Sequence, residues 1–216
     1  HGRDRGKGEA TLAEIGAETG NNRLRYYHAD LTDLTTVRKL AADVKADRDH
    51  LDVLINNAGV GPGPSSHTAR ESSRDGYELR FAVNYLAPFL LTLSLLNPLR
   101  RAAPARIVNV SSAAQEPIDF TDVMYTRQYD PMSAYARSKT ALTMFTFELA
   151  KRLQKDGITV NCLHPGSLLD TKMVRESFGT PWGSAESGAE VVMHMAVSPE
   201  LEGVTGKYFD RTRESR

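Results

Sequence analysis

Cysteine is nearly missing from this chain: Cys162 is the single thiol in 216 residues. One thiol excludes an internal disulfide framework and a cysteine-built metal site. It lies in an apolar run, where a buried and inert thiol is the ordinary reading. An excess of one charge is missing too, because 27 Lys and Arg are matched by 27 Asp and Glu. No net basic field draws the chain to nucleic acid or to an anionic membrane surface. No run reaches the roughly 18 apolar residues that a spanning helix needs. The opening His-Gly-Arg-Asp-Arg has the features of neither a signal nor a transit peptide. The histidines are scattered and form no metal-ligand spacing. These absences, with no internal repeat or low-complexity linker, point to a soluble, cytoplasmic protein without a metal. The length suits one domain over residues 1–216.

What is present alternates. Helical spacing over Lys7–Thr19 places Leu12 and Ile15 on one face, and Gly20-Asn21 stops that helix. Leu24–Ala29 reads as a strand, and Asp33–Ala46 as a helix capped by Thr32 or Asp33. Leu51–Ile55 is short and nearly all apolar, as a strand covered on both faces is expected to be, Arg106–Val110 reads as another buried strand, and Ile158–Leu163 as the next. Tyr77 to about Leu99 reads as one long helix. A second long helix opens at Asp130-Pro131 and runs to about Lys155. Ser187–Ala196 reads as a helix, and Gly206–Phe209 as a last strand. Strands separated by helices imply an α/β fold with a doubly wound parallel sheet. Two long connections, Glu116–Tyr129 and Gly166–Gly188, follow strands, at the edge where open α/β sheets bind ligands.

Four features carry chemistry, and each has a plainer explanation when taken alone. Tyr135 and Lys139 stand four apart on a predicted helix and share a face. A phenol near its ordinary pKa of about 10 ionises poorly at neutral pH, and an adjacent ammonium favours the phenolate. Such a pair can exchange a proton with an alcohol or carbonyl oxygen; equally, it could be a surface pair. Ser111-Ser112 ends a strand, where a hydroxyl can meet a developing oxyanion or simply close the strand. Asn84 sits mid-helix among apolar neighbours, which calls for a buried partner. Asn56-Asn57-Ala58-Gly59 allows close approach of a ligand to the backbone, and is also ordinary turn chemistry.

In order, Asp30-Leu31, Asn56-Asn57-Ala58-Gly59, Val83-Asn84, Asn109-Val110-Ser111-Ser112, Tyr135-Ala136-Arg137-Ser138-Lys139 and His164-Pro165-Gly166 resemble the short-chain dehydrogenase/reductase family along essentially the whole chain. The resemblance implies a Rossmann-type fold and a tetrad of Asn84, Ser112, Tyr135 and Lys139. In it Tyr135 is the general acid or base, and Lys139 lowers the Tyr135 pKa and binds the nicotinamide ribose. Ser112 holds the substrate oxygen, and Asn84 anchors a relay water. It also implies that Asp30 and Leu31 meet the adenine and that Asn57, Ala58 and Gly59 meet the adenosine ribose. Pro165, Gly166, Leu168 and Thr171 would flank the nicotinamide and pyrophosphate; the threonine is one residue further along than is common, which loosens the placement of Leu168, Asp170 and Thr171.

The interval from Ser112 to Tyr135, with Ile118–Asp122 and Tyr129-Asp130-Pro131, resembles the retinol dehydrogenase-like branch, which generally prefers NADP(H). Arg3 stands where an arginine can pair with an adenosine 2′-phosphate, so NADP(H) is favoured over NAD(H). Missing is the family's opening strand with its T-G-x-x-x-G-x-G loop, which supplies the pyrophosphate site. The sheet is therefore expected to lack its first strand and glycine-rich loop, as a truncated domain would. The implied function is a carbonyl reductase or alcohol dehydrogenase, the alternative being a non-catalytic dinucleotide sensor or interaction protein on the same fold. A serine hydrolase is disfavoured because no G-x-S-x-G elbow is present. Phe120, Met124, Tyr125, Phe178 and Trp182 suggest a small hydrophobic carbonyl or alcohol as substrate. The family implies a homodimer or homotetramer through the Tyr77 and Tyr135 helices.

Overall fold

A computed structural model describes every residue except His67 and Arg216. Helix α1 spans Arg5–Thr19, with the Asp4 side chain accepting from the Lys7 N–H as its cap. None of its residues is buried and Ile15 is 38% exposed, so the expected apolar face stays largely at the surface, with Leu12 half-buried and Gly8 set against the Tyr26 ring. Helix α2, Leu34–Asp47, is capped by Asp33 and buries Val37, Leu40 and Ala41.

Among the described residues, five strands form one sheet in sequence order: β1 (Val53–Asn56), β2 (Ala105–Val110), β3 (Ile158–His164), β4 (Tyr208–Asp210) and β5 (Arg213–Ser215). The first four run parallel, and β5 turns back antiparallel on β4. Alternate residues of β2 enter different cores, because successive side chains of a strand point to opposite faces. Ala105 and Ile107 pack with α2 and with later helices that carry Leu91, Leu99, Leu142 and Phe145. Val108 and Val110 pack with Val191 and Met195 of another helix and with Phe209 of β4. Helices on both faces make this a Rossmann-type α/β fold. A buried polar ladder fixes the register: Asn56 donates to Asn109 at 2.8 Å and to Thr92 at 3.0 Å, and Asn109 donates to Thr146 at 2.8 Å.

Three expectations need correction. The predicted strand Leu24–Ala29 is reduced to a single parallel bridge between Gly2 and His28, since Gly2 alone offers it backbone partners. Between that segment and the free edge of β1 lies a cavity of about 370 Å³, lined in part by Tyr27, Leu31, Leu54 and Ile55. Among the described residues no strand fills it. The predicted helix Tyr77–Leu99 is instead four pieces: α3 (Leu79–Phe81), a π-helical turn (Ala82–Leu86), α4 (Ala87–Ser94) and α5 (Leu96–Ala102). The Glu78 carboxylate starts it by accepting from the Phe81 N–H at 2.7 Å, and a bend of 57° separates α4 from α5. The long connection Gly166–Gly188 contains a helix, α7 (Lys172–Phe178), capped by Thr171.

The two helices that frame the site match their expected positions. Helix α6, Pro131–Arg152, is capped by Asp130, and α8 spans Ala185–Val197. Among the described residues no single helix is long and apolar enough to cross a membrane.

Candidate active site

The C-terminal ends of β1, β2 and β3 open into a cavity of about 720 Å³. Its walls bring together Asn57, Ala58, Gly59, Ser112, Tyr135, Lys139, Pro165, Gly166, Leu168 and Thr171. Asn57 and Ala58 also line the 370 Å³ cavity beside β1, which Leu31 reaches. The two spaces therefore meet at the Asn57-Ala58 turn. Arg3 and Asp30 lie outside both. The Arg3 carbonyl contacts His28 Nε2 at 3.1 Å. Partial burial pushes the Asp30 carboxyl up, but two hydrogen bonds from Thr32 outweigh it and hold the group below the usual carboxylate range, helped by Arg74 and Arg3.

The two serines are distinguished by their partners. The Ser111 hydroxyl is spent inside the protein, on the Lys139 carbonyl at 3.2 Å and on Thr143 at 2.9 Å. The Ser112 hydroxyl accepts only from the Ala114 N–H, at 3.1 Å, and faces the Tyr135 phenol. Burial pushes the Tyr135 phenol up, and the neighbouring Ser112 side chain partly opposes this. Lys139 is buried, which pushes its ammonium down to about 8. Its Nζ donates to the Val110 carbonyl at 2.9 Å and lies 5.8 Å from the centre of the Tyr135 ring. In this geometry burial is the largest influence on the phenol, and the Lys139 ammonium gives a hydrogen bond to the Val110 carbonyl.

Asn84 stands at the middle of the π-helical turn, fully inside the protein. A π turn displaces one residue from the helical ladder and often marks a functional position. The Asn84 Oδ1 accepts from the Val60 N–H at 2.8 Å, while Nδ2 donates to the Val60 carbonyl at 3.0 Å and to Ser138 at 2.9 Å. Its side chain is thus a bridge between the loop after Gly59 and helix α6, and does not line the cavity.

The rim carries strain and close packing. Leu168 adopts a left-handed backbone (φ 49°), and its carbonyl accepts from the Trp182 N–H at 2.8 Å. The Thr171 hydroxyl accepts from the Val174 N–H at 3.3 Å, which turns it toward α7. His164 lines the cavity with Nε2 3.2 Å from Ser167 Oγ, and burial lowers its pKa. Residues that sequence reasoning missed hold α7 down: Ser177 Oγ accepts from the Gly63 N–H at 3.1 Å, and Met173 lies over Gly61. A Cβ at Gly61 would come within 2.7 Å of Met173 Cγ. The pattern Gly59-x-Gly61-x-Gly63 was the available signal for a surface against which another segment packs.

A cavity at the strand ends is thus walled by a serine, a tyrosine and a buried lysine, side chains of the kinds that acid–base chemistry on an oxygen uses. The family model for short chain dehydrogenases matches residues 1–181, and the chain belongs to that family of oxidoreductases, which bind NAD(P)(H). Within the family it is retinol dehydrogenase-like. It is 40% identical to human (Homo sapiens) retinol dehydrogenase 13 over 98% of this chain and 68% of that protein. A solved structure of an uncharacterized protein from Mycobacterium paratuberculosis is 30% identical, with a TM-score of 0.74 over 99% of this chain and 73% of the other. The NADPH-bound carbonyl reductase from chicken fatty liver is 25% identical, with a TM-score of 0.66 over 99% of this chain and 85% of the other.

Proposed function

We propose that the protein transfers hydride between NADP(H) and an apolar carbonyl or alcohol, with Tyr135 as general acid or base. One observation carries this reading: Ser112, Tyr135 and Lys139 line the same cavity as Asn57–Gly59 and Pro165–Gly166. The nicotinamide half of the coenzyme suits that cavity, since Lys139 has donors to spare beyond Val110 and the Gly59 backbone is bare of side chain. Asn57, Ala58, Gly59, Pro165, Gly166, Leu168 and Thr171 would hold the coenzyme there, with Asp30, Leu31 and Arg3 toward its adenosine end. The pyrophosphate half has no matching glycine-rich turn among the described residues.

When bound, the nicotinamide supplies or accepts the hydride. The Ser112 hydroxyl holds the substrate oxygen; the Tyr135 O–H gives it a proton in the reducing direction, leaving the phenolate, and the phenolate takes one from the alcohol in the oxidising direction. Lys139, charged below about pH 8, would donate to the ribose hydroxyls of a bound coenzyme and stabilise the phenolate as it forms. Asn84 fixes the spacing between the coenzyme loop and α6. Met132, Leu169, Met173, Val192 and Met193 give the remaining wall an apolar surface, which suits an apolar substrate such as the retinoid in the name of the human relative.

Arg3 supports NADP(H) over NAD(H), because a guanidinium pairs with a 2′-phosphate where an acidic residue would repel it. The test is turnover by the full-length protein with NADPH or NADH and retinaldehyde or decanal. NADPH-dependent loss of the aldehyde is expected; no turnover with either coenzyme would favour the non-catalytic reading. We also propose self-association through α4 and α6, whose Leu93, Met144 and Phe147 line an apolar groove of about 800 Å³. Light scattering that finds only monomer would contradict this.

A further inference from the structure

The Ser112 backbone is held from an unexpected direction. Tyr208, the first residue of β4, lies 96 positions along the chain from Ser112, beyond the 1–181 segment that matches the family model. Its phenol donates to the Ser112 carbonyl at 3.1 Å. The Gln115 side-chain amide donates to the same oxygen at 3.1 Å. A carbonyl oxygen has two lone pairs, so both are occupied. The Ala114 N–H donates to the Ser112 hydroxyl at 3.1 Å. Ser112 is thus fixed at its carbonyl by two side chains and at its hydroxyl by the backbone.

The anchor itself is rigid. Tyr208 pairs with Cys162 of β3 on one side and with Ser215 of β5 on the other. The residue before it is pinned twice, with Cys162 N–H donating to the Lys207 carbonyl and Lys207 N–H donating to Asn161 Oδ1, each at 3.0 Å. The phenol therefore projects from a backbone that cannot slide. The chain between Val110 and Asp130 contains no regular element; Ser111 is tied to Leu163 and Glu116 to Thr140 on either side, and between them the Tyr208 phenol is the long-range bond that reaches the Ser112 carbonyl.

We propose that Tyr208 is a positioning residue, which together with Gln115 holds the Ser112 carbonyl so that the Ser112 hydroxyl faces Tyr135. This rests on the assignment of Ser112 and Tyr135 to proton transfer. The phenol stays a neutral donor across the working range, because burial first, then Cys162 on β3, Asp210 on β4 and Tyr135 on α6, push it up to about 12. Tyr208 thus acts on geometry and takes no proton from the substrate.

The experiment is a double-mutant cycle in the full-length protein, with NADPH and retinaldehyde. Tyr208→Phe keeps the ring and removes the donor. It is expected to lower kcat roughly tenfold, the worth of one hydrogen bond, and to leave KM for NADPH unchanged. In the Ser112→Ala background, with residual turnover measured at excess enzyme, Tyr208→Phe is expected to cost nothing further, because it acts only through the Ser112 hydroxyl. Equal losses in both backgrounds would assign Tyr208 a merely structural role and overturn the proposal, as would an unchanged kcat in Tyr208→Phe alone. If Tyr208→Phe fails to fold, Gln115→Met removes the other donor and must lower kcat in the same Ser112-dependent way; if it does not, the proposal falls. Should Ser112→Ala and Tyr135→Phe themselves turn over normally, the reading of the site fails together with this one; loss in those two and none in Tyr208→Phe overturns the positioning role alone.

Discussion

The Asn84 side-chain amide donates to the Ser138 hydroxyl at 2.9 Å, one residue before Lys139. The same side chain grips Val60 by both its N–H and its carbonyl. One buried group therefore sets the distance between the coenzyme-side loop and the helix that carries Tyr135 and Lys139. Asn84→Ala strands the buried Ser138 hydroxyl and the part-buried N–H and carbonyl of Val60, and a buried group left unsatisfied costs about 1–3 kcal/mol. A loss of roughly 3–5 kcal/mol is expected by urea unfolding, with turnover lost as well. A change below about 1 kcal/mol would show that the bridge is dispensable.

Lys139 predicts a pH signature in stability. Its folded pKa of about 8 lies below the ordinary lysine value, so between those two values the unfolded chain binds more protons than the folded one. Stability attributable to this group therefore rises with pH across that window, and burial of the charge costs most below about 8. Lys139→Met should gain about 1–3 kcal/mol at pH 7 and lose that gain toward pH 10.5, while being inactive. Thermal melts of both proteins at the two pH values measure it. A gain that does not shrink at high pH would contradict the assignment.

Gly61 lies under α7 with no room for a methyl group, since a Cβ there would meet Met173 Cγ at 2.7 Å and Ser177 Oγ at 2.9 Å. Gly61→Ala should lift α7 at a local cost of about 1–3 kcal/mol. Faster amide exchange in Lys172–Phe178 and a raised KM for the aldehyde are the expected results. Unaltered exchange there would mean that Met173 and Ser177 can move aside without releasing the helix.

Arg80 and Glu78 are a buried ion pair that fastens three segments. Arg80 donates to Pro62 at 2.7 Å, to Gly61 at 3.2 Å, to Tyr129 at 2.8 Å and to Glu71 at 3.1 Å. Tyr129 in turn donates to Glu78 at 2.8 Å. Removing one member leaves a buried charge unpaired, so Arg80→Met should cost about 3–5 kcal/mol, while Tyr129→Phe should cost about 1 kcal/mol. Chemical unfolding of the two variants compares them directly, and similar losses for both would contradict this ranking.

Much of this was legible in the sequence. The short strands rich in Ile and Val around Ile107 and Val160 and the Asp130-Pro131 start of α6 gave the parallel sheet and its longest helix, because burial on both faces and capping are local signals. Ser112 was singled out by position, and its environment distinguishes it from Ser111. Other features were hidden for physical reasons. Strand identity at Leu24–Ala29 depends on neighbours that hydrogen-bond to it, which composition does not reveal. The π turn at Asn84 interrupts a pattern that reads as one continuous helix. Helix α7 is seven residues long and buries only Val174, so it leaves almost no periodicity. The contact between Tyr208 and Ser112 links distant positions through the β3–β4 ladder, and no local pattern encodes it.

The most direct test of the account is single-turnover reduction of retinaldehyde by Tyr135→Phe, with NADPH binding measured on the same sample. The account predicts that coenzyme binding persists while hydride transfer falls by at least about a hundredfold, the lower end for loss of a general acid. Turnover at the wild-type rate in a variant that binds NADPH would contradict it.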